Sequence, residues 1–255
     1  MRVVGAVLLA GAAGCFQLSP HDLPELQDHN LRAVERLAAT PIEGPLRFVL
    51  IGDTQREFDA AAAFVEAVNR RGDVHFVVEL GDFTNTGLTF EWEAMRRVFD
   101  GLRMPWLAVI GNHDFLANGR LIYEHMFGPR NLAFTVAGVR LVLLDTNSRE
   151  AGFPQDVPDL AWLEAQLAPD GAHDRSAVLG HVGPNSEDLR EDLKPGYRAL
   201  LREAGAPGFH AHGHKYEAYE QDGARFYTAD AVGHGSYLLV TAGPGGGFEV
   251  ERVFF

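Results

Sequence analysis

From Leu46 onward the chain repeats one pattern. A short run of aliphatic and aromatic residues ends at a glycine or an acid, and a stretch with apolar positions three or four apart often comes next. The short runs RFVLIG, VHFVVEL, WLAVIG, LAFTVAGVRLVLLDT, SAVLGH, APGFHAHGH, EAYEQDGARFYTA and SYLLVTAGPGGGFEVERVFF read as strands. FDAAAAFVEAVNRRG, EWEAMRRVFDGL, PDLAWLEAQLA and SEDLREDLKPGYRALLREAG carry helical periodicity, with Pro195 breaking or starting a helix inside the last. Ala137-Gly138, Asp222-Gly223 and Gly243 to Gly247 supply hairpin turn chemistry. GPGGG has no helix after it, so a flexible turn is expected there rather than a phosphate cradle. The pattern predicts a mixed sheet flanked by helices, with two sheets packed as a sandwich.

Upstream of this region the pattern changes. Pro20 to Thr40 reads as a linker and one amphipathic helix, with Leu31, Val34 and Leu37 on one face, and is expected to tether the domain to its anchor. The chain begins MRVVGAVLLAGAAGCFQ. Arg2 precedes an apolar run that is shorter than the roughly 20 residues needed to span a bilayer but suits the apolar core of an export signal. Ala12-Ala13-Gly14-Cys15 resembles a lipobox, and Cys15 is the chain's one cysteine, so no intramolecular disulfide can form. The expected organisation is a lipoprotein-type signal over 1–15, a tether and helix over 16–45, and one domain over 46–255. The expected location is the cell envelope, anchored through Cys15, at the outer membrane if the host has one. A net charge of −13 argues against binding to nucleic-acid backbones or anionic lipid surfaces. It does not exclude phosphate chemistry where metal ions supply local positive charge.

Five strand-like segments end in polar clusters of one kind. IGDTQ offers Asp53 and Gln55, ELGDFTNTG offers Asp82 and Asn85, and VIGNHDF offers Asn112, His113 and Asp114. VLGHVGP offers His181, and FHAHGHKYE offers His210, His212 and His214. Ligands in open α/β sheets bind beyond the carboxyl ends of the strands, so the fold itself would gather these clusters on one edge. A single Gly-Asp is ordinarily a turn, and Asp53 or Gln55 alone could cap the next helix. Five such clusters rich in Asp, Asn and His are metal-ligand chemistry.

In order and spacing, DTQ, GDFTN, GNHD, GHVGP and AHGH resemble the calcineurin-like metallophosphoesterase superfamily. The resemblance runs from about Arg47 to the C-terminus. It implies a four-layer α/β/β/α sandwich and two divalent metal ions bridged by Asp82. Asp53, Gln55 and His214 would complete one site, and Asn112, His181 and His212 the other. A hydroxide held between the ions would attack phosphorus in line with the leaving group. His113 would be the general acid or a cationic stabiliser of the transition state, oriented by Asp114, and Asn85 a hydrogen-bonding support or a plain turn residue. His210 is expected to be structural, and His234 to line the substrate pocket or lie on a loop surface.

This sequence departs from the superfamily pattern at two positions: Gln55 stands where a His is usual, and Ala211 where a Gly is usual. A carbonyl ligand at Gln55 would favour Mn or Mg over Zn or Fe, with Mn favoured. The motif GDFTNTG, with no Arg, and GNHD rather than GNHE argue against a Ser/Thr protein phosphatase. The substrate is expected to be a small phosphorylated molecule, whether monoester, diester or pyrophosphate, with no obligate protein partner. Substrate choice would lie in the loops Phe115 to Phe127 and Asn147 to Val157. The rival reading is a catalytically inactive, metal-binding surface lipoprotein.

Overall fold

The computed structural model describes residues 22–243 and 246–255. Among the described residues, eleven strands form two sheets. In chain order these are β1 (Leu46–Ile51), β2 (Phe76–Glu79), β3 (Trp106–Ala108), β4 (Leu132–Val136), β5 (Val139–Leu143), β6 (Arg175–Leu179), β7 (Gly208–His210), β8 (Glu217–Gln221), β9 (Ala224–Thr228), β10 (Ser236–Ala242) and β11 (Phe248–Phe254). The first sheet runs β11-β10-β1-β2-β3 and the second β4-β5-β6-β7-β9-β8. Strands β1, β2 and β3 are parallel to one another, as are β5, β6, β7 and β9. Both sheets therefore gather several loops at one edge.

The period-2 alternation of a strand sorts its side chains into layers. On β1, Phe48 and Leu50 point into the space between the sheets, where they join Phe76, Phe134, Leu141, Leu179 and Phe209. Phe48 stacks on Phe76 at 5.0 Å, and Phe76 meets Phe134 of the other sheet edge-on at 6.3 Å. Val49 and Ile51 point outward, toward helices α2 (Phe58–Arg70) and α3 (Thr89–Phe99). On the far side, Val142 and Val178 pack against α5 (Leu160–Leu167) and α6 (Lys194–Ala204). The expected four-layer α/β/β/α architecture is thus observed, and both faces of each sheet are covered.

Hairpin turns form at Ala137-Gly138 and Asp222-Gly223, all four residues with positive φ. The Gly243–Gly247 turn lies partly outside the described residues. Pro195 sits in the first turn of α6, where its missing N–H costs nothing, so it starts the helix. Two elements differ from the sequence reading. The segment 115–127 is not all loop: it carries α4 (Gly119–Met126). The upstream helix α1 (His29–Ala39) buries Asn30, Ala33 and Leu37, while Leu31 is 37% exposed. The reason is a polar contact. Asn30 Nδ2 donates to the Ala108 carbonyl at 2.8 Å, and Asn30 Oδ1 accepts from the Ala108 amide at 3.0 Å. The Asn30 side chain thereby pairs with the edge strand β3 as a neighbouring strand would, and closes that edge.

Candidate metal centre

The loop after each central strand carries one polar cluster, and the backbone brings these loops unusually close. A Cβ on Gly81 would lie 2.7 Å from both the Gly111 Cα and the His181 Nδ1. The glycines of GDFTN and GNHD are therefore required by loop contact. A Cβ on Gly52 would meet the Ala211 Cβ at 2.5 Å, so Ala211 fills space that Gly52 leaves free. Asp53, Gln55, Asp82, His212 and His214 all sit at positive φ, between 25° and 67°. Side-chain-bearing residues rarely adopt that region, and such strain concentrates at functional sites.

Asn112, His181, His212 and Asp82 converge. Asn112 Oδ1 lies 2.9 Å from His181 Nε2 and 3.0 Å from His212 Nδ1, and His181 Nε2 lies 3.3 Å from Asp82 Oδ1. The other nitrogen of each ring is engaged elsewhere. His181 Nδ1 donates to the Leu80 carbonyl at 2.9 Å, and His212 Nε2 faces Asp188 Oδ2 at 2.9 Å. A neutral imidazole has one N–H. With those protons spent on Leu80 and Asp188, the inward-facing nitrogens of the neutral rings are lone pairs, as are the inward-facing oxygens. Four lone-pair atoms pointing at one another repel unless a cation lies between them, whether a metal ion or a proton on His181 Nε2. The chemistry of this donor set fits a divalent metal.

Asp53, Asp82 and His214 form a second group, with one ligand atom from each within 4.8 Å of the others. Asp53 Oδ1 is buried without a hydrogen bond and lies 3.2 Å from His214 Nε2. Asp53 Oδ2 accepts the His212 amide at 3.1 Å. Gln55 turns its amide nitrogen, not its carbonyl, toward Asp82, donating from Nε2 to Oδ2 at 3.0 Å. Asp82 thus stands between the two groups.

The charge balance is that of a site suited to cations. Burial works against an imidazolium at His181, but the Asp82 carboxylate beside it outweighs this and lifts its pKa to about 10. Burial also opposes ionisation of Asp82, yet His181 and His113 hold it down to about 2. The Asp53 carboxylate beside it raises the pKa of His214, while burial lowers that of His212.

His113 and Asp114 divide their work differently from expectation. His113 Nδ1 rests on the Asn85 carbonyl at 2.8 Å, and the His113 amide donates to Asp82 Oδ1 at 2.8 Å. So it is the Asn85 backbone, not Asp114, that orients the ring. Asp114 is fully buried and accepts from the amides of Asp82, Phe83, Gly111 and Thr84 and from the Thr84 hydroxyl. It ties the β2 and β3 loops together. His210 lies beneath the site, buried, with Nε2 3.0 Å from the Tyr197 hydroxyl, a structural role. His234 is exposed on the turn Val232–His234, 3.5 Å from Asp230.

Three polar features were not singled out in the sequence. Glu79 is fully buried below the Asp82 loop and accepts the Gly81 amide at 2.9 Å; burial, then the Asp114 charge, pushes its carboxyl well above the usual range. Only an acid inside an apolar strand, VVEL, signals it. Asp188 is hidden in the acid-rich stretch SEDLRED. Asn147 donates to the Ile110 carbonyl at 2.9 Å from the loop after β5. The two segments expected to govern substrate choice face each other across a cavity of about 270 Å³ lined by Phe115, Asn118, Arg120, Leu121, Glu150 and Ala151.

Comparison with known proteins accords with this geometry. Residues 46–216 match the calcineurin-like phosphoesterase family, and the chain belongs to that family. The glycerophosphodiester phosphodiesterase GpdQ of Enterobacter lignolyticus (strain SCF1) is 34% identical over 116 residues, which are 42% of this chain and 41% of the relative. The match thus spans about two fifths of that relative's length. Among solved structures, GAP50, the anchor in the inner membrane complex of Plasmodium, superposes with a TM-score of 0.64 at 16% identity over 83% of this chain and 85% of its own. Purple acid phosphatase PPD1 from yellow lupin (Lupinus luteus) seeds gives 0.62 at 12% identity over 84% of this chain and 52% of its own. At these identities the likeness is one of fold. The family is dinuclear-metal dependent, and its reaction is hydrolysis of phosphoester bonds.

Proposed function

We propose that this chain is a dinuclear metal-dependent phosphoester hydrolase, with phosphodiesters as the substrate class to test first. The observation that carries the reading is the convergence of ligand atoms from Asn112, His181, His212 and Asp82 at 2.9 to 3.3 Å. One ion would be held by Asn112, His181 and His212, a second by Asp53, Gln55 and His214, with Asp82 shared. Bound there, such a pair supplies Lewis acidity and an acidified water at neutral pH. His113 stands beside the shared carboxylate through its amide. Its Nδ1 is occupied, so Nε2 is the atom left to give a proton to a leaving oxygen. Asp114 positions the loops that carry Asp82 and Asn112. For Gln55 to ligate, its amide would rotate to present Oε1, a neutral oxygen that suits Mn²⁺ or Mg²⁺ better than Zn²⁺. Diesters come first because the GpdQ relative is named as a phosphodiesterase.

The anchor is proposed from sequence alone, because Cys15 lies outside the described residues. Cys15→Ser is expected to abolish lipid labelling and release the protein from the membrane. A membrane-retained Ser variant with an uncleaved N-terminus, read by intact mass, would replace the lipid anchor with a simple hydrophobic one.

The deciding assay is turnover of p-nitrophenyl phosphate and bis(p-nitrophenyl) phosphate by chelated protein reloaded with Mn²⁺, Mg²⁺, Zn²⁺ or Fe²⁺. Metal-dependent turnover, highest with Mn²⁺ and the diester, is expected. Stoichiometric metal uptake with neither ester hydrolysed would point to a metal-binding protein without activity.

A further inference from the structure

We infer that Asp188 is a positioning residue of the metal centre: it fixes the tautomer and rotation of His212, and Arg149 holds it in place. The inference rests on the metal-dependent reading above. The ring of His212 lies between two oxygens, Asp188 Oδ2 at 2.9 Å from Nε2 and Asn112 Oδ1 at 3.0 Å from Nδ1. A carboxylate is a stronger acceptor than a carboxamide oxygen, so the one N–H of the neutral ring belongs on Nε2, toward Asp188. Nδ1 is left as a lone pair facing the centre.

His181 uses the opposite arrangement. Its Nδ1 donates to Leu80, and Nε2 faces inward. Two neighbouring rings, 5.2 Å apart and nearly perpendicular, thus present different nitrogens to one point. His181 needs only a main-chain carbonyl for this. His212 needs an acceptor on its outer side, and the loop after β6 supplies it seven residues beyond His181.

The acceptor is built rather than incidental. Asp188 is 7% exposed. Its Oδ1 lies 2.6 Å from the Arg149 guanidinium, its carbonyl accepts the Arg149 amide at 3.2 Å, and its own amide donates to Ser186 Oγ at 3.2 Å. One carboxylate therefore links the loops after β5, β6 and β7. His212 itself is held at a φ of 67°, with its amide bound to Asp53 Oδ2 at 3.1 Å. Backbone anchoring sets where the ring begins, and Asp188 sets how it turns. Carboxylates that hold ligand histidines in this way typically change metal affinity by roughly 10- to 100-fold when removed.

The test combines two readouts on wild type, Asp188→Ala, Asp188→Asn and Arg149→Ala. In metal-free protein labelled with ¹⁵N-histidine, long-range ¹H–¹⁵N spectra report the proton position on each ring. His212 is expected as the Nε2–H form in wild type and as a tautomer mixture in Asp188→Ala. Calorimetric titration with Mn²⁺ should then show a loss of roughly 10- to 100-fold at the site of Asn112, His181 and His212, with the other site unchanged. Asp188→Asn and Arg149→Ala should fall between wild type and Asp188→Ala. Arg149 is half exposed, so its variant keeps the test available if Asp188→Ala does not fold. An unchanged His212 tautomer together with unchanged affinity in all three variants would overturn the inference. Equal losses at both sites would also overturn it, as general damage. Wild-type protein that takes up no metal would instead sink the metal-dependent reading, and the tautomer spectra would still judge Asp188.

Discussion

At the scale of single residues, the centre is built by division of labour between sequence neighbours. His113 and Asp114 are adjacent, yet one faces the Asp82 carboxylate from a half-buried position and the other is fully buried among backbone amides. Replacing His113 should therefore change chemistry without unmaking the centre. His113→Ala is expected to keep both metals while losing roughly 10²- to 10⁴-fold in rate, the usual worth of general acid catalysis. The loss should shrink for esters whose leaving groups need no proton. An equal loss for every leaving group, with metal loss, would make His113 a ligand. Gln55 poses the complementary case, because its amide donates to Asp82. Gln55→His should tighten the site of Asp53 and His214 and shift its preference toward Zn²⁺, seen as a changed second step in Mn²⁺ and Zn²⁺ titrations. Identical isotherms for variant and wild type would mean that Gln55 serves Asp82 only as a hydrogen-bond donor. Residues of this kind were legible in the sequence because Asp, Asn and His come after glycines at strand ends. Glu79 and Asp188 were not, because one sits inside an apolar strand and the other inside a run of surface-like charge.

At the scale of elements, periodicity recovered the parts whose burial is apolar and missed those fixed by polar contacts. The strands and helices α2, α3, α5 and α6 announce themselves by apolar spacing that matches their buried faces. The segment GRLIYEHM is short, opens on a glycine and is followed by Gly128-Pro129, which hid α4 behind loop chemistry. Helix α1 was legible as a helix, and Leu37 and Val34 of its expected face do pack on the core, but Leu31 does not and Asn30 was missed. The deciding residue is an asparagine, whose two-sided pairing with Ala108 no hydrophobic pattern can register. That pairing makes α1 the cover of an edge strand rather than a free tether. Asn30→Ala leaves the Ala108 amide and the edge of β3 short of a partner. The expected cost is about 1–3 kcal/mol, read as a melting temperature lower by roughly 2–10 °C. Activity per folded molecule should stay unchanged, since α1 contributes no residue to the centre. A variant as stable as wild type would show that water or a shifted helix satisfies the edge equally well.

At the scale of the whole molecule, the sequence carried the order of the strands and their hairpin pairs but not the long-range neighbours. Nothing local places β10 between β11 and β1; that pairing joins segments almost two hundred residues apart, Leu46 opposite Ala242, and is set by burial of both sheets against each other. The folded chain also encloses groups whose ionisation links folding to pH. His29, packed against Trp106 with Nε2 3.0 Å from the Trp106 carbonyl, is pushed down to about 4 by burial, with Asp100 working against the shift. His210, buried against Tyr197 and Phe226, is pushed down to about 3, again chiefly by burial. Both are ordinary histidines in the unfolded chain, near pH 6.5. Between those values and 6.5 the unfolded state binds protons that the folded state refuses, so unfolding becomes easier as pH falls. The stabilising effect of the neutral rings is whole above pH 6.5. It is lost progressively toward pH 4 for His29, and further toward pH 3 for His210. Urea midpoints of chelated protein should accordingly drop as pH goes from 7 to 4. His29→Gln and His210→Gln, which cannot titrate, should each flatten that slope relative to wild type under the same conditions, whatever their effect on stability at pH 7. Parallel curves for wild type and both variants would assign the acid sensitivity to other groups and leave the two buried histidines without a part in it.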